Sequence, residues 1–345
     1  MKKSASVDND RISNLPNELL SHILSLLPIE QAFTTTLLSK RWTSLCYSLS
    51  VLHFIFDDAI ALDDDDYDNV PINLFSRFVD TFMLSPHAIN QPIKTFHLKC
   101  LSRVYNVDRK SFHAWVHAAK QRNVKEFHLF MNNETLNHTI FTSQTLVVLK
   151  LERLKVKARI LRVHLPSLKT LHLKFVSFGM QSDFIKILNA CPILQDLHTT
   201  CLSYRRHDEN SKSQQFKSLF LSKLVRADIG LSDDVSFTAI ANVDFLHIRD
   251  IERSSFKDIP LFRNLIHIEL WFCNSFHDWV GIVSLLQHCP KLQILFIKKV
   301  CGIVCFYFDY SFFHIYFNEW YIFFFISLTV RYRRIQGLGM PNFSF

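Results

Sequence analysis

The chain has 345 residues, 48% of them hydrophobic and 20% charged, the balance of a folded protein with a sizeable core and not of a disordered tail. Thirty-nine Lys and Arg against 31 Asp and Glu leave a formal charge of +8, but the bases are scattered; the densest groups, Arg205-Arg206 and Arg331 to Arg334, lack an aromatic-flanked basic helix or finger, so no nucleic-acid partner is expected. Six glycines are too few for nucleotide-cradling loops, and no nucleophile elbow, His-Glu-x-x-His pair, Walker loop or dinucleotide turn occurs, so neither catalysis nor a bound cofactor is expected.

Residues 1–9 are polar and are expected to be disordered. Met1-Lys2-Lys3 leads into Ser and Asp with no apolar run behind it, which is not the form of a signal peptide. The eight cysteines are therefore expected to be reduced thiols of a protein in the cytoplasm, the nucleus or both. Cys191-Pro192 and Cys289-Pro290 occupy matching places in two repeats and are read as buried structural thiols. Cys301 and Cys305 lack partners at zinc spacing, so no metal is expected there.

Three helical signals follow in residues 10–56. The first opens at Pro16, whose fixed φ suits a first helical position, with Glu18 in the opening turn. Leu19, Leu20, Ile23, Leu24 and Leu27 recur at helical spacing until Pro28 stops the run. A second helix starts near Ile29 and Glu30, and a third runs from Leu38 to Leu45 after the β-branched Thr34-Thr35-Thr36. So small a unit has too little interior to be stable alone, and some of its apolar surface should meet a partner.

The pattern Leu15-Pro16-x-Glu18-Leu19-Leu20, Ile23-Leu24, Leu27-Pro28, Leu38-Ser39-Lys40-Arg41-Trp42 resembles the F-box of plant F-box proteins over nearly its whole length. The resemblance implies docking on a Skp-type adaptor and, through it, a cullin scaffold. Carried over, Leu15, Pro16, Leu19, Leu20, Ile23, Leu27, Pro28, Ser39, Lys40 and Trp42 fall on motif positions that contact the adaptor or shape the contacting surface. Leu15-Pro16 and Trp42 are read as anchors of that contact, and Leu24, Leu38 and Leu45 as core.

Residues 57–90 are an acidic loop followed by a connecting helical segment. The loop reads DDAIALDDDDYDN over residues 57–69, and its four adjacent Asp, Asp63 to Asp66, do not follow the alternating spacing of a calcium loop. From Tyr67 to Leu84 a helix is expected, with Phe75, Phe78, Val79 and Phe82 on one face.

Residues 91–300 hold an internal repeat of the form apolar-x-x-apolar-x-apolar: Ile93-Phe96-Leu98, Val124-Phe127-Leu129, Leu146-Leu149-Leu151, Leu168-Leu171-Leu173, the incomplete Leu194-Leu197, Leu224-Ala227-Ile229, Val243-Leu246-Ile248, Leu265-Ile268-Leu270 and Leu292-Leu295-Ile297. First positions lie 19 to 31 residues apart, bracketing the period of leucine-rich repeats. Each last pair should point inward from a short strand with the residue between them facing out. Helical stretches at Phe184, Ile187, Leu188 and at Trp279, Val280, Val283, Leu286 should close the other side. The segments TLVVLKL at 145–151, LPSLKTLHL at 165–173 and CPILQDL at 191–197 resemble plant F-box proteins with leucine-rich repeats. In that family a C-terminal FBD region usually follows the last repeat, and no such region is recognised here.

After Lys299 the chain changes character: residues 301–345 begin CGIVCFYFDYSFFHIYFNEWYIFFFISLTV, without the repeat spacing. A membrane anchor and a buried strand both compete with a third reading, which is favoured: translated non-coding sequence such as a retained intron. The anchor is disfavoured because Asp309, His314, Asn318 and Glu319 interrupt the run.

The expected fold is α/β, a three-helix F-box followed by an irregular leucine-rich-repeat solenoid with parallel strands on the concave face and helices or loops on the convex one. The expected function is substrate recognition in a Skp-cullin-F-box ubiquitin ligase, acting by proximity and not by chemistry. The alternatives are a truncated non-degradative F-box interaction protein or a membrane-anchored repeat protein. His97, His128, His172 and His247 stand in outward slots and form either a solvated polar ladder or part of a target-binding wall whose affinity would depend on pH.

Overall fold

A computed structural model describes residues 11, 12, 14–57, 70–101, 107–157, 162–206, 219–230, 235–251, 256, 258–272 and 279–299. The N-terminal residues 1–9, Asp63 to Asp66, Arg331 to Arg334 and the whole of 301–345, with Cys301 and Cys305, lie outside them.

Helix α1 (Asn17–Ser25) begins one residue later than the sequence suggests, with Pro16 as its extended N-cap and Glu18 in its first turn. Helix α2 (Ile29–Thr34) passes into a 3-10 turn at Thr35–Leu37. The threonine run explains the break: the Thr34 and Thr35 hydroxyls donate back to the Gln31 and Ala32 carbonyls at 2.8 and 2.6 Å, competing with helix propagation. Ser39 is fully extended, so α3 is Lys40–Tyr47 instead of the expected Leu38 to Leu45.

The parallel sheet starts earlier than the repeat pattern shows. Strand β1 (Val51–Asp57) follows α3 directly and pairs in register with β2 (Thr95–Leu101). Its Leu52-x-Phe54 is the inward pair of a further copy of the repeat, Leu49-x-x-Leu52-x-Phe54, whose first residue is buried as well. Asp57, expected at the head of the acidic loop, closes this strand. The connecting helix α4 (Val70–Met83) and α5 (Arg109–Gln121) flank β2 in the chain, and Asp108 caps α5 by accepting from the Ser111 N–H at 3.0 Å. Then come β3 (Glu126–Leu136), β4 (Val148–Val156), β5 (Thr170–Lys174), β6 (Ser177–Met180), α6 (Gln181–Asn189), β7 (Asp196–Thr200) and β8 (Ser203–Arg206).

The chain forms two compact units, the first reaching Leu219 and the second starting at Phe220. In the first, β1, β2, β3, β4, β5 and β7 run parallel in that order, with β6 and β8 forming a short second ladder beside the end of β4. In the second, β9 (Arg226–Gly230), β10 (Phe245–Ile251), β11 (His267–Phe272) and β12 (Ile294–Lys299) are parallel in sequence order, and α7 (Trp279–Gln287) lies between the last two in the chain. The eight complete inward pairs read from the sequence, and Leu197 of the incomplete copy, fall on strands.

One backbone device repeats throughout. The carbonyl of the residue just before a strand accepts from two successive N–H groups of the next repeat: Ser50 from Lys94 and Thr95, Lys94 from Lys125 and Glu126, Lys125 from Val147 and Val148, Val147 from Lys169 and Thr170, Lys169 from Gln195 and Asp196. Val225, Asp244 and Ile266 do the same in the second unit. Strand starts are thereby locked in register, and Ser50 makes the end of the helical module the first step of the stack.

Past the strands, Arg153, Phe175 and Cys201 take positive φ of 54, 52 and 52°, each five residues after the start of β4, β5 and β7. This left-handed step turns the chain into the second ladder at the expense of backbone strain, since none of the three is Gly or Asn.

Packing joins the helical module to the repeats through aromatic rings. Phe33 of α2 lies 5.3 Å from Phe78 and 5.9 Å from Phe82 of α4, and Tyr47 of α3 lies 5.2 Å from Phe82. Phe54 of β1 meets Phe78 and Phe82 at 5.8 and 6.0 Å, Phe96 follows Phe54 at 6.1 Å, and Phe127 stacks on Phe96 at 5.3 Å. Behind them Trp115 of α5 donates its indole N–H to Asp80 of α4 at 2.6 Å. Cys191 and Cys289 are buried thiols as expected, each donating to the carbonyl four residues back at 3.1 Å, and burial pushes both up to about 12. In α7 the buried face is Ile282 and Leu285, while Val280 is 80% exposed and Val283 is exposed as well. The expected set of Val280, Val283 and Leu286 is corrected by about one position, because α7 starts at Trp279 and Cys289 fixes its phase.

Phe82→Ala is expected to cost about 3–5 kcal/mol, because a fully buried ring beside those of Phe33, Tyr47, Phe54 and Phe78 leaves a cavity. A urea titration of the variant should show the helical module and the first repeats losing stability together. Thr199 is fully buried in the inward row where every earlier strand places Phe or Leu, and its hydroxyl meets no partner among the described residues. Thr199→Val should therefore raise the urea midpoint, by the equivalent of about 1 kcal/mol.

Candidate functional site

Two surfaces collect the residues singled out in the sequence. On the helical module, Leu20 and Leu24 of α1 are fully buried, whereas Leu19, Ile23 and Leu27 are exposed and Leu26 is 72% exposed. These four exposed residues follow i, i+4, i+7 and i+8, so α1 and its terminal turn carry a second apolar stripe that faces out. Leu37 at 89% and Leu38 at 66% exposure extend the apolar surface from the 3-10 turn; Leu38 is thus a surface residue and not the core residue expected, because the late start of α3 turns it outward. Leu15 is half-buried, and Pro16, Pro28, Ser39 and Lys40 are exposed. Trp42, expected as an anchor, is 7% exposed and packs inside the module, as does Leu20, so both shape the surface from beneath.

Arg41 does what the sequence left unassigned. Its Nε donates to Asn17 Oδ1 at 2.7 Å and its guanidinium also donates to the Leu15 carbonyl, which pins the Leu15-Pro16 turn against the start of α3. The signal was present in the motif, but an arginine between Lys40 and Trp42 reads equally as a solvated charge.

The second surface is the open face of the first unit's sheet. His53, His97, His128, Lys150, His172 and His198 occupy register-matched positions on β1, β2, β3, β4, β5 and β7, forming one row across six strands. Ring centroids are 5.4 Å apart for His53 and His97, 5.6 Å for His97 and His128, and 5.2 Å for His172 and His198. The next outward row holds Ile55, Lys99, Phe130, Glu152, Lys174 and Thr200. Sequence reasoning missed His53 because β1 was assigned to the helical module, and His198 because Thr199 spoils the repeat pattern there.

His97, His128 and His172 are half-buried in this wall. Burial first, then His53, Lys99 and Lys150, lower His97; burial, Lys150 and His97 drive His128 down to about 4 against the weaker pull of Glu126. Both shifts hold these two imidazoles toward the neutral form. His172 faces Asp196 at 3.6 Å and Glu152 takes Lys174 at 3.0 Å.

In the second unit the corresponding row reads Asp228, His247, Glu269 and Phe296. Here His247 is buried, its Nδ1 lies 3.1 Å from the Asp228 carboxylate and its ring meets that of Trp271 at 4.4 Å, while Arg249 donates to the same carboxylate at 2.6 Å. Arg226 covers Phe245 at 4.3 Å and Lys298 covers Trp271 at 4.7 Å. Polar and aromatic groups interlock within this wall, so His247 is a positioned strut more than a free contact.

A cleft of about 310 Å³ between α5 and the segment after β3 is lined by Phe112, His113, His117 and Asn137 among others. His113 uses both ring nitrogens internally, toward the Thr135 carbonyl and the Asn137 side chain. Among the described residues no group of three His, Cys, Asp or Glu could hold a metal ion, and no helix is long and apolar enough to cross a membrane.

Comparison with known proteins follows the same division. Residues 12–54 match the F-box domain, and residues 112–237 match the LRR repeats of the FBD-associated F-box protein At5g56370. F-box/LRR-repeat protein At3g59200 of Arabidopsis thaliana is 29% identical over 87% of this chain and 72% of its own length. F-box/LRR-repeat protein At3g59190 is 28% identical over 85% and 94%, and F-box/FBD/LRR-repeat protein At5g22660 is 34% identical over 54% and 39%, both also from Arabidopsis thaliana.

Protonation of a group held low in the fold favours the unfolded chain. Stability contributed by neutral His128 is complete above its ordinary value of 6.5 and is lost as pH falls toward about 4, with His97 acting in the same direction. The urea midpoint of the His128→Gln variant should accordingly fall less than that of the parent between neutral pH and about pH 5.

Proposed function

We propose, from an F-box joined to leucine-rich repeats of the FBD-associated kind, that this chain is the substrate-recognition subunit of a Skp-cullin-F-box ubiquitin ligase. The observation that carries the reading is the outward apolar stripe of α1. A short helix that already buries Leu20 and Leu24 has no intramolecular use for Leu19, Ile23, Leu26 and Leu27, and leaving them in water is unfavourable unless a partner covers them. A Skp-type adaptor is that partner. The Leu15-Pro16 turn held by Arg41 and the exposed Pro28, Ser39 and Lys40 complete the docking surface, while Leu20 and Trp42 support it from inside.

The open sheet face holds the target. The aromatic chain from Phe33 to Phe127 fixes the helical module to the first strands, so adaptor contact and the histidine row belong to one packed body. A target on that row is carried at a fixed position relative to the adaptor. The subunit then acts by raising the local concentration of target lysines near a ubiquitin-conjugating enzyme bound elsewhere on the scaffold, with no chemistry of its own. Cytoplasm and nucleus are the compartments in which this assembly is proposed to work.

Replacing both Leu19 and Ile23 by Lys should weaken co-purification with a Skp-type adaptor at least about 30-fold, the size of a hot-spot loss, while the urea midpoint stays near the parent's because both side chains are exposed. Full adaptor binding by the doubly charged variant would overturn the assignment of this surface.

A further inference from the structure

Within the histidine wall the positive groups are not evenly partnered. Glu126 accepts from the Thr95 hydroxyl at 3.2 Å, Glu152 is taken by Lys174 at 3.0 Å, and Asp196 faces His172 at 3.6 Å. Lys99 and Lys150 meet no carboxylate among the described residues; Lys99 lies only over the Phe130 ring, 6.0 Å from its centroid. Both lysines act on His97, and Lys150 acts on His128, so the four groups share one patch with His53 at its edge. The Nε2 of His128 is buried and has no partner among the described residues. Phe130, half-buried, sits in register between Lys99 and Glu152.

We propose that the face formed by His53, His97, His128, Lys99, Lys150 and Phe130 is the docking site for an acidic, extended segment of the target protein, with two carboxylates bracketing an apolar side chain. This inference rests on the reading of the sheet face as the target wall and names the chemistry of what it takes. Two unpaired ammonium groups beside neutral imidazoles create a positive field in a half-buried setting, and a carboxylate relieves it. Lys99 and Lys150 stand two strands and two residues apart, roughly 12 Å at ordinary strand spacing, which matches carboxylates four residues apart on an extended chain. The apolar residue midway between them meets Phe130.

The same geometry couples binding to protons. Burial, His53 and Lys150 oppose protonation of both His97 and His128, Lys99 adds to this at His97, and Glu126 favours protonation of His128. Added carboxylates on the patch favour the imidazolium forms, so binding takes up protons and tightens as pH falls below neutrality.

The test uses the full chain with its adaptor and a fluorescein-labelled extended peptide carrying two Glu four residues apart with Leu midway, against the same peptide with Gln for Glu. Anisotropy should show binding of the Glu peptide alone, weakened by salt and strengthened several-fold between about pH 7.5 and about pH 5.5. Changing both Lys99 and Lys150 to Gln should weaken it roughly tenfold. His97→Gln with His128→Gln should reduce the pH gain to less than about twofold. No binding of the Glu peptide, equal binding of the Gln peptide, or an unchanged affinity in the lysine variant overturns the proposal. Adaptor co-purification measured on the same preparations separates the two readings: retained adaptor binding with failed peptide binding removes only this inference, and lost adaptor binding by the parent chain removes the assignment beneath it.

Discussion

Everything in the first unit depends on a relay of aromatic rings that begins in the helical module and ends in the sheet. Phe33 and Tyr47 alone are too few to make a core for three short helices. They become one by packing on Phe78 and Phe82 of α4, which in turn cover Phe54 of β1. The module therefore borrows its interior from the repeats, and the repeats borrow the cap of their first strand from the module. A small domain that shares its core in this way is relieved of the surface-to-volume penalty that would leave it marginal alone. It is also relieved of the need to bury all its apolar residues, and the face of α1 opposite Leu20 and Leu24 is free to serve a partner.

The inward pairs of the repeat were legible because burial imposes a period of two on a strand and the Leu, Ile and Phe that satisfy it are unambiguous. What escaped the sequence was carried by the backbone. The carbonyls of Ser50, Lys94, Lys125, Val147 and Lys169 each hold two N–H groups of the following repeat, and no side-chain type is required for that. Likewise the second ladder turns on Arg153, Phe175 and Cys201 in the left-handed region, where Gly or Asn would have signalled a turn. Strand β1 went unseen for a different reason: Leu49-x-x-Leu52-x-Phe54 follows the repeat spacing, but it enters straight from α3 and reads as the end of the helical module.

The candidate surfaces were legible in proportion to how much the motif said about direction. Leu19, Leu20, Ile23 and Leu24 all read as one apolar stripe, yet the structure splits them into an inner and an outer face, and the packing of α1 against α3 goes with the inner one. Trp42 illustrates the same ambiguity from the other side, since a large aromatic serves as an interface anchor or as a core filler with equal ease. His97, His128 and His172 were readable as outward because the strand alternation fixes them, whereas Lys99 and Lys150 acquire their meaning from register alone: it sets Lys150 opposite His128 and, among the described residues, leaves both lysines without a carboxylate.

A row of histidines invites the idea of a pH switch, but the wall argues for a more specific behaviour. Burial and the neighbouring lysines hold His97 and His128 toward the neutral form, so these two imidazoles offer hydrogen-bond donors and acceptors and the lysines supply the charge. Polar recognition of this kind costs little desolvation compared with a row of imidazolium ions, and charge enters only when a carboxylate arrives to compensate it. The second unit shows the contrasting solution. There Asp228 is built into the wall beside His247 and Arg249, so the compensating carboxylate is internal and the groups are locked to each other. Two walls made by the same repeat thus differ in where the negative charge resides, and that difference is what makes the first unit's face the one poised to receive an acidic partner.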